Sequence, residues 1–128
     1  MDKKEAIEIC TVLKNEYVGI VNKVLKNRLG VNVNMKPVYS QGRSDCYIYL
    51  IAEDNRDVEN KMMGNKLLRH LFSSAELKVT VWVFDNSFSF LVDVFYKHPD
   101  GGSNGHDLMT FHIMKDSYKV KFNKTVYR

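Results

Sequence analysis

At 128 residues, with 45% hydrophobic and 27% charged side chains, the chain has the size and make-up of one globular domain, which excludes a disordered or low-complexity protein. The net charge of +4 sits at one end: from Lys115 to Arg128 five basic side chains stand against one acid, Asp116, and the rest of the chain balances. Cys10 and Cys46 fall in no CxxC or zinc-finger spacing, no apolar run nears the ~20 residues that span a bilayer, and the amphipathic start lacks a signal-peptide core. The expectation is a cytoplasmic protein with free, buried thiols and no membrane contact.

The first predicted element is a helix over residues 2–29. Ala6, Ile9, Cys10, Leu13, Tyr17, Ile20, Val21 and Val24 recur at three- and four-residue spacing, Asp2 is placed to cap the start, and Gly30 supplies a left-handed stop. VNVNM (31–35) then alternates as a strand that Pro37 confines to an edge, and CYIYLIA (46–52) is β-branched and aromatic enough for an inner strand. Residues 53–72 predict a second helix, capped by Asp54 or Asn55, carrying Val58, Met62, Leu67, Leu68, Leu71 and Phe72 on one face and Gly64 in its middle. LKVTVWVF (77–84) and FSFLVDVFYK (88–97) alternate cleanly, and LMTFHIM (108–114) and YKVKF (118–122) complete the β-rich half. The order α-β-β-α-β-β-β-β with short gaps predicts a single α+β domain over 1–128: a mostly antiparallel sheet with two helices on one face.

Between the fourth and fifth predicted strands lies HPDGGSNGHD (98–107). Consecutive glycines let the backbone form an anion cradle, but phosphate loops lead from a strand into a helix, and Asp100 and Asp107 repel phosphate. His98, His106, Asp100, Asp107 and His112 supply metal-ligand chemistry without a ligand spacing; on a regular strand His106 and His112 share a face. Pro99-Asp100-Gly101 and Asn104-Gly105 are strong turn formers, so the stretch reads as a hairpin loop longer than most, either a connector alone or a finger that touches a partner.

Catalytic constellations are thin. There is no nucleophile elbow, Cys10 falls on the core stripe of the first helix, and Asp93 lies opposite the Phe/Val stripe of its strand with no second acid that the sequence can place beside it. Tyr47 and Tyr49 share parity, as do Trp82 and Phe84; the expectation is that these aromatics pack beneath the helices, whereas on an open face they would suit base stacking. Two helices leave part of one sheet face uncovered, which a homodimer or another partner would bury.

The sequence is therefore read as a small non-enzymatic binding protein without cofactor or metal. Its expected contacts are the loop residues Lys97, His98, Asp100, Gly101, Gly102, Ser103, Asn104, Gly105 and His106 and the basic end at Lys119, Lys121, Lys124 and Arg128. The expected target is a protein or nucleoprotein, and the Lys-, Asn- and Ile-rich, Arg-poor composition suits a phage or mobile-element accessory protein that inhibits a host defence. Direct nucleic-acid binding, and a small enzyme or nucleotide-sequestering protein built on the glycine loop, are the alternatives.

Overall fold

Leu13, Tyr17, Val21 and Leu25 are spaced four apart, a pattern that drifts about 40° per step around a regular helix. A computed structural model, which describes residues 1–123, shows how the chain absorbs that drift. Helix α1 (Lys3–Val12) runs through a π turn at Leu13–Tyr17 into α2 (Val18–Leu29), and the wider turn keeps all four side chains buried on one face. Asp2 caps the start by accepting the Glu5 N–H, and Gly30, at φ 70°, ends the run. Asp2→Ala should cost about 1 kcal/mol, read as a melting temperature lowered by about 3–4 °C; no change would remove the cap from the helix's support.

Behind this helix lies one six-stranded antiparallel meander in the order β1 (Met35–Gln41), β2 (Cys46–Ala52), β3 (Ser74–Val83), β4 (Ser87–Lys97), β5 (Ser103–Met114) and β6 (Val120–Phe122). Each strand pairs with its sequence neighbours, through short turns everywhere except between β2 and β3, where residues 53–73 intervene. Alternation sends Ile48, Leu50, Leu77, Val79, Phe90, Val92, Phe111 and Ile113 to the helix side, where they form one core with α1 and α2. The α+β architecture and the antiparallel sheet are thus as the sequence implies.

Two elements differ. Residues 31–34 are not strand: Val31 is buried, the Asn32 N–H donates to Asp57 Oδ2 at 2.6 Å, and pairing starts only at Met35. Pro37 does lie in an edge strand, where a missing ladder donor is tolerated. The single helix expected over 53–72 is two, α3 (Arg56–Met62) and α4 (Lys66–Leu71), so the order gains an element. The break falls at Gly64, a poor helix former, and Asn65 restarts the chain by accepting the Leu67 N–H at 2.7 Å. Val58 and Met63 reach the core, but Leu67 and Leu71 are exposed, so α4 contributes no buried residue. The layer over the sheet is therefore essentially one long helix with α3 beside it, where Asn55 Oδ1 accepts the Leu77 N–H at 3.0 Å.

Candidate interaction surface

The glycine-rich stretch proves shorter than its composition suggests. Lys97 already pairs with Ser103, leaving a five-residue loop, 98–102, and residues 103–107 are strand. The loop is closed by the His98 N–H to the Gly102 carbonyl at 2.7 Å and by the Gly101 N–H to the His98 carbonyl at 3.0 Å, with Gly101 at φ 101°. Asp100 Oδ1 accepts the Gly102 N–H, and the His98 ring packs 4.9 Å from Phe72 and lies 3.2 Å from Asn104 Oδ1. Gly105 belongs to the strand because the Phe95 ring lies across it: a β-carbon there would sit 2.7 Å from Cε1 of that ring.

Lys119 and Lys121 lie at the other end of the sheet. Ser87 pairs with Met114 beside the 115–119 turn, whereas Lys97 and Ser103 close the opposite end. Across the eleven residues of β4 that separation is about 33 Å at ~3.3 Å per residue. Lys97 is held by Glu76 at 3.4 Å, and Lys121 pairs with His112 across β5–β6. The loop and the basic turn therefore form two separate surfaces; Lys124 and Arg128 fall outside the described residues.

The sheet face away from the helices carries exposed aromatics. Tyr47 is 52% exposed and Trp82 46%, so these aromatics do not pack beneath the helices as expected; Phe84, at the β3–β4 turn, is 52% exposed. The strand register sets this face out in rows. One runs Val38, Tyr49, Thr80, Leu91, Thr110, and the next runs Lys36, Ile51, Lys78, Asp93, Asp107. Trp82, Ser89, His112 and Lys121 make a third, with Tyr47 flanking Trp82 one step beyond the Ile48–Val81 pair. Strands β1–β4 thus present apolar and aromatic side chains, with Thr110 and His112 beside them on β5, and none of the described residues forms a layer over them.

The second row holds the carboxyl pair that the sequence could not place. Val92 pairs with Met109 but Asp93 pairs with Asp107, so a bulge at Leu108 brings the two acids opposite one another. Burial, first, and the neighbouring Asp107 carboxyl, second, push Asp93 up to about 7, against the pull of Lys78. Asp93 Oδ1 is enclosed without a hydrogen-bond partner; the proton that Asp93 retains serves a bond to Asp107. Lys78, directly across from Asp93, does not pair with it: its ammonium sits over the Tyr49 ring, 3.9 Å from the centroid.

The same bulge separates the histidines. His106 pairs with the core-facing Val94 and its ring meets Tyr96 at 5.7 Å, while His112 pairs with Ser89 on the open side, so the face they share on a regular strand is lost. Among the described residues no three His, Cys, Asp or Glu side chains come together as a metal-binding group. Cys46 is buried with its Sγ 2.8 Å from Gln41 Oε1; Cys10 is half-buried, and burial raises its thiol pKa. No described helix is long and apolar enough to cross a membrane. Comparison with family models, with curated proteins and with solved structures finds no match, so a functional reading must come from the surface itself.

Proposed function

We propose that this chain is a non-enzymatic binding protein and that it binds with the open face of its sheet. The observation that carries this reading is the cluster of Tyr47, Tyr49, Trp82, Leu91 and Phe95 on one face, with no covering layer among the described residues. Contiguous exposed apolar surface of this kind marks interaction sites, and Tyr and Trp are enriched where proteins meet. The Asp93–Asp107 pair shares a proton yet keeps a negative charge beside the aromatics, which opposes phosphates and favours a protein partner over nucleic acid. The composition supports the setting inferred from the sequence, a phage or mobile-element accessory protein that blocks a host protein.

The test is capture from a low-GC bacterial lysate by the tagged chain and by a Tyr47→Ser/Trp82→Ser variant. Both side chains are about half exposed and leave no enclosed cavity, so the variant should stay folded with a loss of about 2–3 kcal/mol, which its thermal melt checks. A defined protein retained by the parent and lost by the variant supports the reading. Equal retention would move the binding surface elsewhere, first to the loop at 98–102 or the basic turn. A second reading, direct nucleic-acid binding, draws on Lys36, Lys78 and Lys121 among the aromatics of this face. It predicts a nuclease-sensitive catch whose affinity falls steeply with salt.

A further inference from the structure

The chemistry of the open face is divided between its two halves. The β1–β3 half carries Lys36 and Lys78, and the β4–β5 half carries Asp93 and Asp107, all in one row. Lys78 holds its ammonium over the Tyr49 ring and, among the described residues, makes no salt bridge with Asp93 directly across from it, whose Oδ1 has no hydrogen-bond partner. A face with cations on one side and carboxyls on the other, at the same height along the strands, is complementary to itself. We propose that the open face is where two copies of this chain join, around a two-fold axis that runs along the strands between β3 and β4. This rests on the reading of the face as the binding surface and names its partner.

The geometry follows from the register. Laying a second sheet face to face about such an axis reverses the strand order, so β3 lies over the second copy's β4 and β2 over its β5, while heights along the strands are kept. Lys78 then faces the second copy's Asp93, and its own Asp93 faces the second copy's Lys78, the reciprocity an isologous contact requires. In the next row Thr80 faces the second copy's Leu91 and Tyr49 its Thr110; Ile51 and the long stem of Lys36 cover Asp107. Four full strands, β2–β5, at ~4.8 Å spacing and about 23 Å of shared length bury roughly 900 Å² in total, and β1 against the short β6 of the second copy brings the contact to the ~1,000 Å² expected of a specific interface. Nucleic acid on this face would set phosphates against Asp93 and Asp107, a conflict that a second copy resolves. Because the axis lies along the strands, both 115–119 turns emerge at one end of the pair and both 98–102 loops at the other. Lys115 and Lys119 of the two copies would then form one doubled basic end for a further partner.

The test is sedimentation equilibrium of the full chain from about 1 to 200 μM, a range set by the modest interface area, followed by a charge exchange. The parent should be a dimer at the upper concentrations. Lys78→Asp sets acid against Asp93 of the facing copy, and Asp93→Lys sets lysine against Lys78, so each variant alone should dissociate at least tenfold more readily. An equimolar mixture of the two should dimerise again as one copy of each, because every facing pair is then opposite in sign. Leu91→Arg, which leaves both charges in place near the axis, should also give monomers, and circular-dichroism melts establish that each variant is folded. A parent that stays monomeric, a dimer that neither charge variant nor Leu91→Arg weakens, or a mixture that stays monomeric overturns the proposal. If the parent is monomeric yet captures a protein that Tyr47→Ser/Trp82→Ser loses, the second copy is rejected and the binding-protein reading stands.

Discussion

Phe90→Ala should be the most damaging single substitution in the sheet. Phe90 is fully buried at the centre of β4, stacked on Phe111 with ring centroids 5.2 Å apart and backed by Phe88 at 6.4 Å. Truncation removes the ring's transfer energy and leaves a void between the helix layer and β4–β5, a loss of about 3–5 kcal/mol. For a domain of this size that lowers the melting temperature by about 10–20 °C. On the opposite face, Trp82→Ser removes a larger ring at a smaller cost, about 1–2 kcal/mol, because Trp82 is already half in water and leaves no enclosed void. The contrast between the two aromatics, measured as thermal melts in dilute protein, reports directly that the sheet has one core face and one open face. Similar losses at the two positions would mean that the open face is structural.

Asp93→Asn should make the protein more stable, and increasingly so as pH rises. The folded carboxyl titrates at about 7, well above the ~3.9 of an unfolded Asp, because burial and Asp107 oppose its charge. Between about pH 4 and 7 the folded chain therefore holds a proton that the unfolded chain has released, and stability falls as pH rises through that window. Asn cannot ionise, so the variant avoids the loss. The two proteins should coincide near pH 4 and diverge until about pH 7, after which the gap is constant. Asp93 is partly open to solvent, so the gap is screened to about 1 kcal/mol at pH 8. Asp45 and Asp54, which their ion partners hold below the usual carboxylate range, lose stability in acid in both proteins and cancel from the difference. Denaturant midpoints at pH 5 and pH 8 decide it: a gap that does not widen with pH would place Asp93 in an ordinary solvated site.

The core was legible wherever one periodicity ran unbroken. Leu77, Val79 and Val81, then Phe88, Phe90, Val92 and Val94, alternate in sequence and are buried as one stripe per strand, and the stripe from Ala6 to Val24 marks the helix face. Leu25 was not in that stripe because only the π turn brings a four-residue spacing back into phase. What stayed hidden depends on pairs of strands. Gly105 reads as loop until the Phe95 ring is laid over it. Asp107 reads as loop or metal ligand until the bulge at Leu108 sets it across from Asp93. Val38, Tyr49, Lys78 and Asp93 belong to one surface only through register, which no single strand encodes. Parity placed Tyr47 and Trp82 together with their neighbours, but it could not say which face the helix would choose, since both carry apolar residues.

Trp82, the chain's single tryptophan, reports on the open face most directly. Acrylamide quenching of its fluorescence would be measured on the purified protein across concentration and on any complex captured from lysate. If the open face is the binding surface, the indole is quenched freely in the dilute monomer and becomes shielded, with a blue-shifted emission, once the face is covered. Equal quenching of Trp82 in dilute protein, concentrated protein and captured complex would contradict it, because the face would then remain in water in every associated form.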